Sequence, residues 1–294
     1  QYYTFGSVSH FRCNQYLGHH RGFDHFSFKR TLDDKLGSPG IRGRNNMNFQ
    51  IREFCDYLKN FSNKDFFGFL HLFDTHFPYI KDPNNVNLKN LLFEDSLNSF
   101  VEKSFTMQLS QSEYDYIYEE YITKLSELDY YLDELYSLLD KMENTTVIFT
   151  SDHGYSFNNP LGKNLNHEEI QTPFIIKSNQ FPFISGMYEN IVESSVDILP
   201  TVTNLYSIED KTNRSGTAIF DGNYQVINKR YAVSELTYHD EYLLRIIGED
   251  NCEVLFKANM DRATLKKNLD SLQIMDSKIG QKDLLAFKDF MKYI

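Results

Sequence analysis

Two short apolar runs, separated by one long amphipathic stretch and each ending abruptly in polar residues, constrain this chain more than any other feature. Phe66-Phe67-Gly68-Phe69-Leu70-His71-Leu72-Phe73 is almost continuously apolar, and its length suits a strand buried on both faces. It stops at Asp74-Thr75-His76-Phe77-Pro78, where the proline forbids continuation. The second run, Thr145-Thr146-Val147-Ile148-Phe149-Thr150, is β-branched and aromatic and ends at Ser151-Asp152-His153-Gly154. Between them, from Ser112 to Met142, Ile117, Tyr121, Leu125, Leu128, Leu132, Leu135, Leu139 and Met142 recur in steps of three and four, which predicts one helix with one apolar stripe. Strand, helix, strand is a βαβ unit, so parallel strands and a right-handed crossover are expected.

The flanking sequence extends that plan. Phe49, Ile51, Phe54 and Leu58 give Asn46–Asn60 a helical spacing, and Pro173-Phe174-Ile175-Ile176-Lys177 fits a third strand of the same sheet. A further helix is expected from Ser194 through Val196, Ile198, Leu199, Val202 and Leu205, whereas residues 1–45 read as loop with short elements. Tyr242–Ile247 and Cys252–Lys257, about a polar turn, predict a hairpin, and the last 30 residues read as helical. The expected class is α/β: a mixed, mainly parallel sheet flanked by helices, over 1–224, with a small antiparallel α+β subdomain over 225–294.

A formal charge of −11 and the absence of any dense Lys/Arg run argue against a nucleic-acid partner. An acidic protein binds an anionic ester only where a metal or local cations reverse the field. Cys13, Cys55 and Cys252 are far apart and read as isolated thiols. No apolar stretch approaches the roughly 20 residues that cross a bilayer. The chain opens at Gln1 rather than Met, so its start carries no information about targeting.

Ligands of open α/β sheets bind beyond the C-terminal strand ends. His76 after the first run, and Asp152 and His153 after the second, are therefore expected on one rim. A carboxylate and an imidazole side by side are half of a ligand set for a divalent cation, and Gly154 permits a tight turn around one. Lys163 could supply positive charge to a sulfate or phosphate oxygen. The alternative is that Asp152 caps a turn and His153 is an ordinary rim residue.

Longer segments bear on that choice. Thr146–Gly154 resembles the strand-plus-SDHG signature of the sulfatase and alkaline-phosphatase superfamily. Phe69–Tyr79 is similar to its strand ending in H-x-P-Y, and Gly22-Phe23-Asp24-His25-Phe26 to its GFD-x-F turn. Asn166–Lys177 resembles its Y-E-E…P-l-I-I segment, and Ser195–Val202 its D-I-x-P-T helix. The resemblance implies an alkaline-phosphatase-like fold in which Asp152 and His153 ligate a divalent metal, with calcium ahead of zinc, manganese or magnesium. It also implies that His76 contacts the transferring group or assists the leaving group, that Lys163 holds another oxygen, and that His167 and His10 join the rim. A structural or supporting part is favoured for His167, as are turn and cap roles for Asp24 and Asp197. The implied substrate is an anionic ester, such as a sulfated or phosphorylated glycan, and the implied location is extracytoplasmic.

Two departures limit the match. The family's nucleophile follows its first strand in a C-x-P-S-R or S-x-P-S-R context that occurs nowhere here, so this stretch by itself is expected to be inactive. The family's G-K-W-H motif has Gly6-Ser7-Val8-Ser9-His10 as its nearest counterpart, without the lysine and with His10 one position off. The expected activity is sulfate-ester hydrolysis by the complete protein. Phosphatase, phosphodiesterase or phosphoethanolamine-type transferase chemistry, or a catalytically inactive module, are the alternatives.

Overall fold

The structure, a computed structural model, describes residues 2–28, 47–61, 63–76, 79, 109–157, 165–182, 186–188, 195–212, 216–227, 231–238, 241–248, 253–258 and 273–277. The chain divides into two compact units, Gln1–Thr145 and Thr146–Ile294.

In the first unit, β1 (Tyr3–Val8) lies between β2 (His25–Phe28) and β3 (Phe66–His71), and both pairings are parallel. The N-terminal stretch expected as loop thus holds the sheet's central strand. Its mixed Thr-Phe-Gly-Ser sequence hides it from a periodicity argument, because burial here comes from pairing on both edges. Helix α1 (Met47–Phe61) presents Ile51, Phe54, Cys55 and Leu58 to the core. A side chain at Gly68 would come within 2.8 Å of the Phe54 ring and 2.9 Å of the Phe5 ring, so close packing between helix and sheet requires glycine at that point in β3.

Helix α2 (Gln111–Leu139) opens with a capping box in which Ser110 and Glu113 satisfy each other's backbone N–H. Ile117, Leu132 and Leu135 are buried, as the stripe predicts. At its centre, however, Leu125 is exposed, and Lys124 is buried in its place, paired with Glu127 at 2.9 Å.

In the second unit, β4 (Thr146–Thr150) pairs with β5 (Phe174–Ser178). The third apolar run does form a strand, but it runs antiparallel to β4 rather than parallel. The described part of the β4–β5 connection carries only the one-turn helix α3 (His167–Ile170). Helix α4 (Ile198–Leu205) follows a 3-10 turn at Ser195–Asp197.

A four-stranded antiparallel sheet has the order β6 (Tyr231–Tyr238), β7 (Glu241–Gly248), β8 (Glu253–Ala258) and β9 (Gln273–Ser277). The expected hairpin is β7–β8. Strand β9 replaces part of the helix expected in the last 30 residues, because pairing with β8 outweighs local helical spacing. The rest of that stretch lies outside the described residues. No helix among the described residues is long and apolar enough to cross a membrane.

Candidate functional site

The first unit carries His10 and His76 on the C-terminal side of its parallel strands. Val8 of β1 is in register with His71 of β3, and the Ser9 hydroxyl donates to the His71 carbonyl at 3.1 Å, which fastens the two strand ends together. Past these ends the chains turn. The His76 N–H donates to the Phe73 carbonyl at 3.0 Å, while His10 caps the turn Phe11–Cys13, its Nδ1 accepting the Arg12 N–H at 3.4 Å.

Both imidazoles stack on one ring: His10 on Phe73 with centroids 4.0 Å apart, and His76 on Phe73 at 4.4 Å. A Nδ1 that accepts leaves the proton of the neutral His10 ring on Nε2, the tautomer able to donate to an anionic oxygen. Asp74, beside this pair in sequence, is buried. Tyr79 is also buried, packed against Tyr121 of α2 at 5.0 Å, so the last residue of the H-x-P-Y segment serves as a packing anchor.

The second unit presents Asp152 and His153 immediately after β4, their side chains 81% and 56% exposed. The Asp152 carboxylate accepts the His153 N–H at 3.1 Å. His153 Nδ1 lies 2.6 Å from the Gly154 carbonyl, which can only accept, so Nδ1 carries the proton and the lone pair lies on Nε2. Nε2 is 3.7 Å from Asp152 Oδ2. Bonds of about 2.0–2.4 Å to one cation hold two neighbouring ligand atoms roughly 3–4 Å apart. The pair therefore fits half of a divalent-cation site in both donor type and spacing. Among the described residues, no group of three His, Cys, Asp or Glu side chains completes one.

Gly154 fixes this loop against α3. Its N–H donates to the Glu169 carbonyl at 2.7 Å. A Cβ at Gly154 would lie 2.0 Å from the Glu168 carbonyl oxygen and 2.7 Å from that of Gln171. Glycine is required here by close approach of backbone to backbone.

His167 begins α3, and its Nε2 lies 2.9 Å from Glu253 Oε2 on β8. The other oxygen of Glu253 accepts from the Arg245 guanidinium of β7, whose Nη1 also donates to the Leu165 carbonyl. Burial acts to raise the Glu253 carboxyl, but the Arg245 hydrogen bond and charge, with His167, outweigh it and hold the group below its ordinary value. His167 is thus engaged with the C-terminal sheet. Arg245 and Glu253 were not anticipated. The available signal was an arginine in the middle of the apolar run Leu243-Leu244-Arg245-Ile246-Ile247. Lys163 lies outside the described residues.

The remaining motif residues are architectural. The Asp24 carboxylate accepts from the Thr4 N–H at 2.9 Å and the Thr4 hydroxyl at 3.1 Å, tying the GFD turn to the start of β1. Asp197, only 1% exposed, accepts the Thr217 N–H at 2.8 Å, and the Thr201 hydroxyl donates to the Asp197 carbonyl at 2.6 Å. Ser7, at the place of the missing lysine, is 1% exposed and donates to Glu53 of α1 at 3.3 Å.

The chain is similar to several known proteins. The Sulfatase family model matches residues 2–208. A Caenorhabditis elegans protein named as a homologue of the extracellular sulfatase Sulf-1 is 27% identical over 114 residues, which are 36% of this chain and 16% of that protein. Among solved structures, an alkaline-phosphatase-superfamily protein from Vibrio parahaemolyticus aligns with a TM-score of 0.55 at 14% identity, over 99% of this chain and 64% of that one. The sulfatase-like protein YidJ from Bacteroides fragilis aligns with a TM-score of 0.53 at 16% identity, over 74% of this chain and 50% of that one. The chain spans less than two thirds of the length of each of these relatives. Their identity is low enough that the two structures speak to the fold, which is that of the alkaline-phosphatase superfamily. The family match covers well over half of the sequence, and this chain belongs to the Sulfatase family.

Proposed function

We propose that the complete protein hydrolyses sulfate esters with the help of a divalent cation held in part by Asp152 and His153. The observation that carries this reading is the seating of that pair: Nδ1 of His153 is committed to Gly154, and Nε2 stands 3.7 Å from Asp152 Oδ2. A bound cation would supply Lewis-acid stabilisation of the ester oxygens and of the attacking group. The resemblance favours calcium, whereas the imidazole ligand suits zinc better than an all-oxygen calcium shell.

On this reading His76 and His10 act on the transferring group. His10 donates from Nε2 to one of its oxygens, and His76, exposed at the turn after β3, contacts another or protonates the leaving oxygen. Lys163 would hold a further oxygen, and His167 would support the Asp152–His153 loop. The nucleophile is not assigned to any residue of this stretch. Residues 225–294 are taken as a subdomain that supports the site. An anionic ester substrate, such as a sulfated or phosphorylated glycan, fits the family, and action outside the cytoplasm fits the name of the C. elegans relative.

Ser7 favours a second reading, phosphate-ester hydrolysis or transfer on the same scaffold. Where the resemblance expects a lysine, this chain has a buried hydroxyl engaged with a carboxylate, so that position contributes no cation to a sulfate group.

Asp152→Ala in the full-length protein tests the proposal. The substitution is expected to abolish cation binding and ester turnover while the unfolding midpoint stays unchanged, since surface substitutions typically move stability by no more than about 0.5 kcal/mol. Retention of both cation and turnover would refute the site. Comparison of aryl sulfate with aryl phosphate as substrates decides between the two readings.

A further inference from the structure

A buried ion pair between β7 and β8 of the second unit has no part in the chemistry proposed for Asp152 and His153. The side chains of Arg245 and Glu253 are only 10% and 12% exposed. Arg245 pairs with Leu255 across the β7–β8 ladder, and Glu253 lies two residues before Leu255, so the two charges are diagonal neighbours on one face of the sheet. The opposite face carries Tyr242, Leu244, Ile246, Val254 and Phe256, all buried. An ion pair placed out of water in this way adds little net stability compared with apolar residues of similar size. Its presence calls for a geometric explanation.

That geometry leads towards Asp152 and His153. Arg245 holds the Leu165 carbonyl, at a residue whose φ of 50° puts the backbone in the left-handed region. Glu253 holds His167. Asn166, between these two anchors, donates its N–H to the Glu169 carboxylate at 3.2 Å, and the Glu169 N–H donates to the Asn166 carbonyl at 2.9 Å. The turn so pinned offers the carbonyls on which Gly154 is seated, and Gly154 directly follows the Asp152–His153 pair.

We propose that Arg245 and Glu253 are positioning residues for the Asp152–His153 half-site, acting through the Leu165–Gln171 turn that clasps Gly154. The positioning role rests on the reading of Asp152 and His153 as cation ligands; the mechanical link to Gly154 does not. A sheet distant in sequence from the signature motif thereby becomes part of the site's construction. Arg245 cannot be replaced by lysine on this account, because one ammonium cannot reproduce the planar fork that reaches Glu253 and the Leu165 carbonyl together.

The test compares Arg245→Lys, Glu253→Gln and Lys257→Ala in the full-length protein. Lys257→Ala breaks a half-buried 2.6 Å pair with Glu241 on the same sheet and serves as control. Two quantities are measured: hydrogen exchange at the Gly154 amide, and affinity for Ca²⁺, Mg²⁺, Mn²⁺ and Zn²⁺ by calorimetry. Arg245→Lys and Glu253→Gln are expected to speed Gly154 exchange at least about tenfold and to weaken the bound cation by a similar factor, with Lys257→Ala matching wild type in both. If Glu253→Gln fails to fold, Arg245→Lys, which keeps a cation beside the carboxylate, decides the outcome. Wild-type exchange at Gly154 in Arg245→Lys, or equal acceleration in Lys257→Ala, overturns the link. Faster exchange with unchanged cation affinity overturns the positioning role. A wild-type protein that binds none of the four cations overturns the cation reading and the positioning role together, while the exchange data still judge the link.

Discussion

His10 and His76, far apart in sequence, stack on the same phenyl ring, that of Phe73, at 4.0 and 4.4 Å. The parallel pairing of β1 and β3 brings their strand ends side by side, and the Ser9–His71 hydrogen bond locks them there. Phe73 is accordingly a platform whose loss should be felt by both histidines. In Phe73→Leu, the Cε1–Hε1 NMR signals of His10 and His76 are expected to move together towards random-coil positions as the ring current disappears. Turnover by the full-length protein should fall about 10- to 100-fold, the range expected when reacting groups shift by roughly 1 Å. Movement of one signal without the other contradicts a shared platform.

Gly154→Ala offers a sharper result. The new methyl carbon would sit 2.0 Å from a backbone oxygen, and neither strand β4 nor helix α3 can yield as a flexible side chain would. We expect a loss of about 3 kcal/mol, at the upper end of ordinary overpacking, read from the urea midpoint. A variant as stable as wild type would show that α3 does not bear on this loop.

Of the two described cysteines, Cys55 is the more removed from any reactive role. It is fully buried in α1, and burial, with Glu134 adding to it against the opposing pull of Lys59, pushes its thiol up to about 11. The reactive thiolate is therefore scarce at pH 8. Ellman's reagent at that pH should leave Cys55 unmodified in the folded protein and modify it once urea is added. Reaction of Cys55 before unfolding would contradict its place in the core.

These features were unequally legible in the sequence. Strand β3, helix α2 and strand β4 announce themselves because their burial is repetitive: a continuous apolar run or a stripe at helical spacing. Strand β1 does not, since Gly6 and Ser7 are buried by what surrounds them, Phe23 and Phe26 against the glycine and Glu53 against the serine. The Asp152–His153 pair was readable as part of a local tripeptide, whereas the Arg245–Glu253 pair was not. Arg245 reaches Leu165 across a long stretch of chain, and only the folded hairpin brings them together. Stacking of His10 and His76 was hidden for the same reason. Each histidine is visible at a strand end, but the register that joins them belongs to the sheet.

Glu253 carries the last prediction, through pH. Its folded carboxyl titrates below the ordinary value of 4.5, with burial opposed and overcome by Arg245 and His167. A depressed carboxyl contributes stability that is fully present above the unfolded value and is lost as pH falls through the folded one. Between pH 7 and about 4.5 the Glu253 contribution should therefore be constant, and below 4.5 it should decline. Glu253→Gln removes the charge from a buried pair and leaves Arg245 uncompensated, which typically costs about 3 kcal/mol at neutral pH. Urea unfolding of both proteins from pH 7 to 3 should show a wide gap at neutral pH that narrows below 4.5, because the wild type loses there what the variant already lacks. A gap that stays constant down to pH 3 would mean that Glu253 is not the group through which this pair responds to acid.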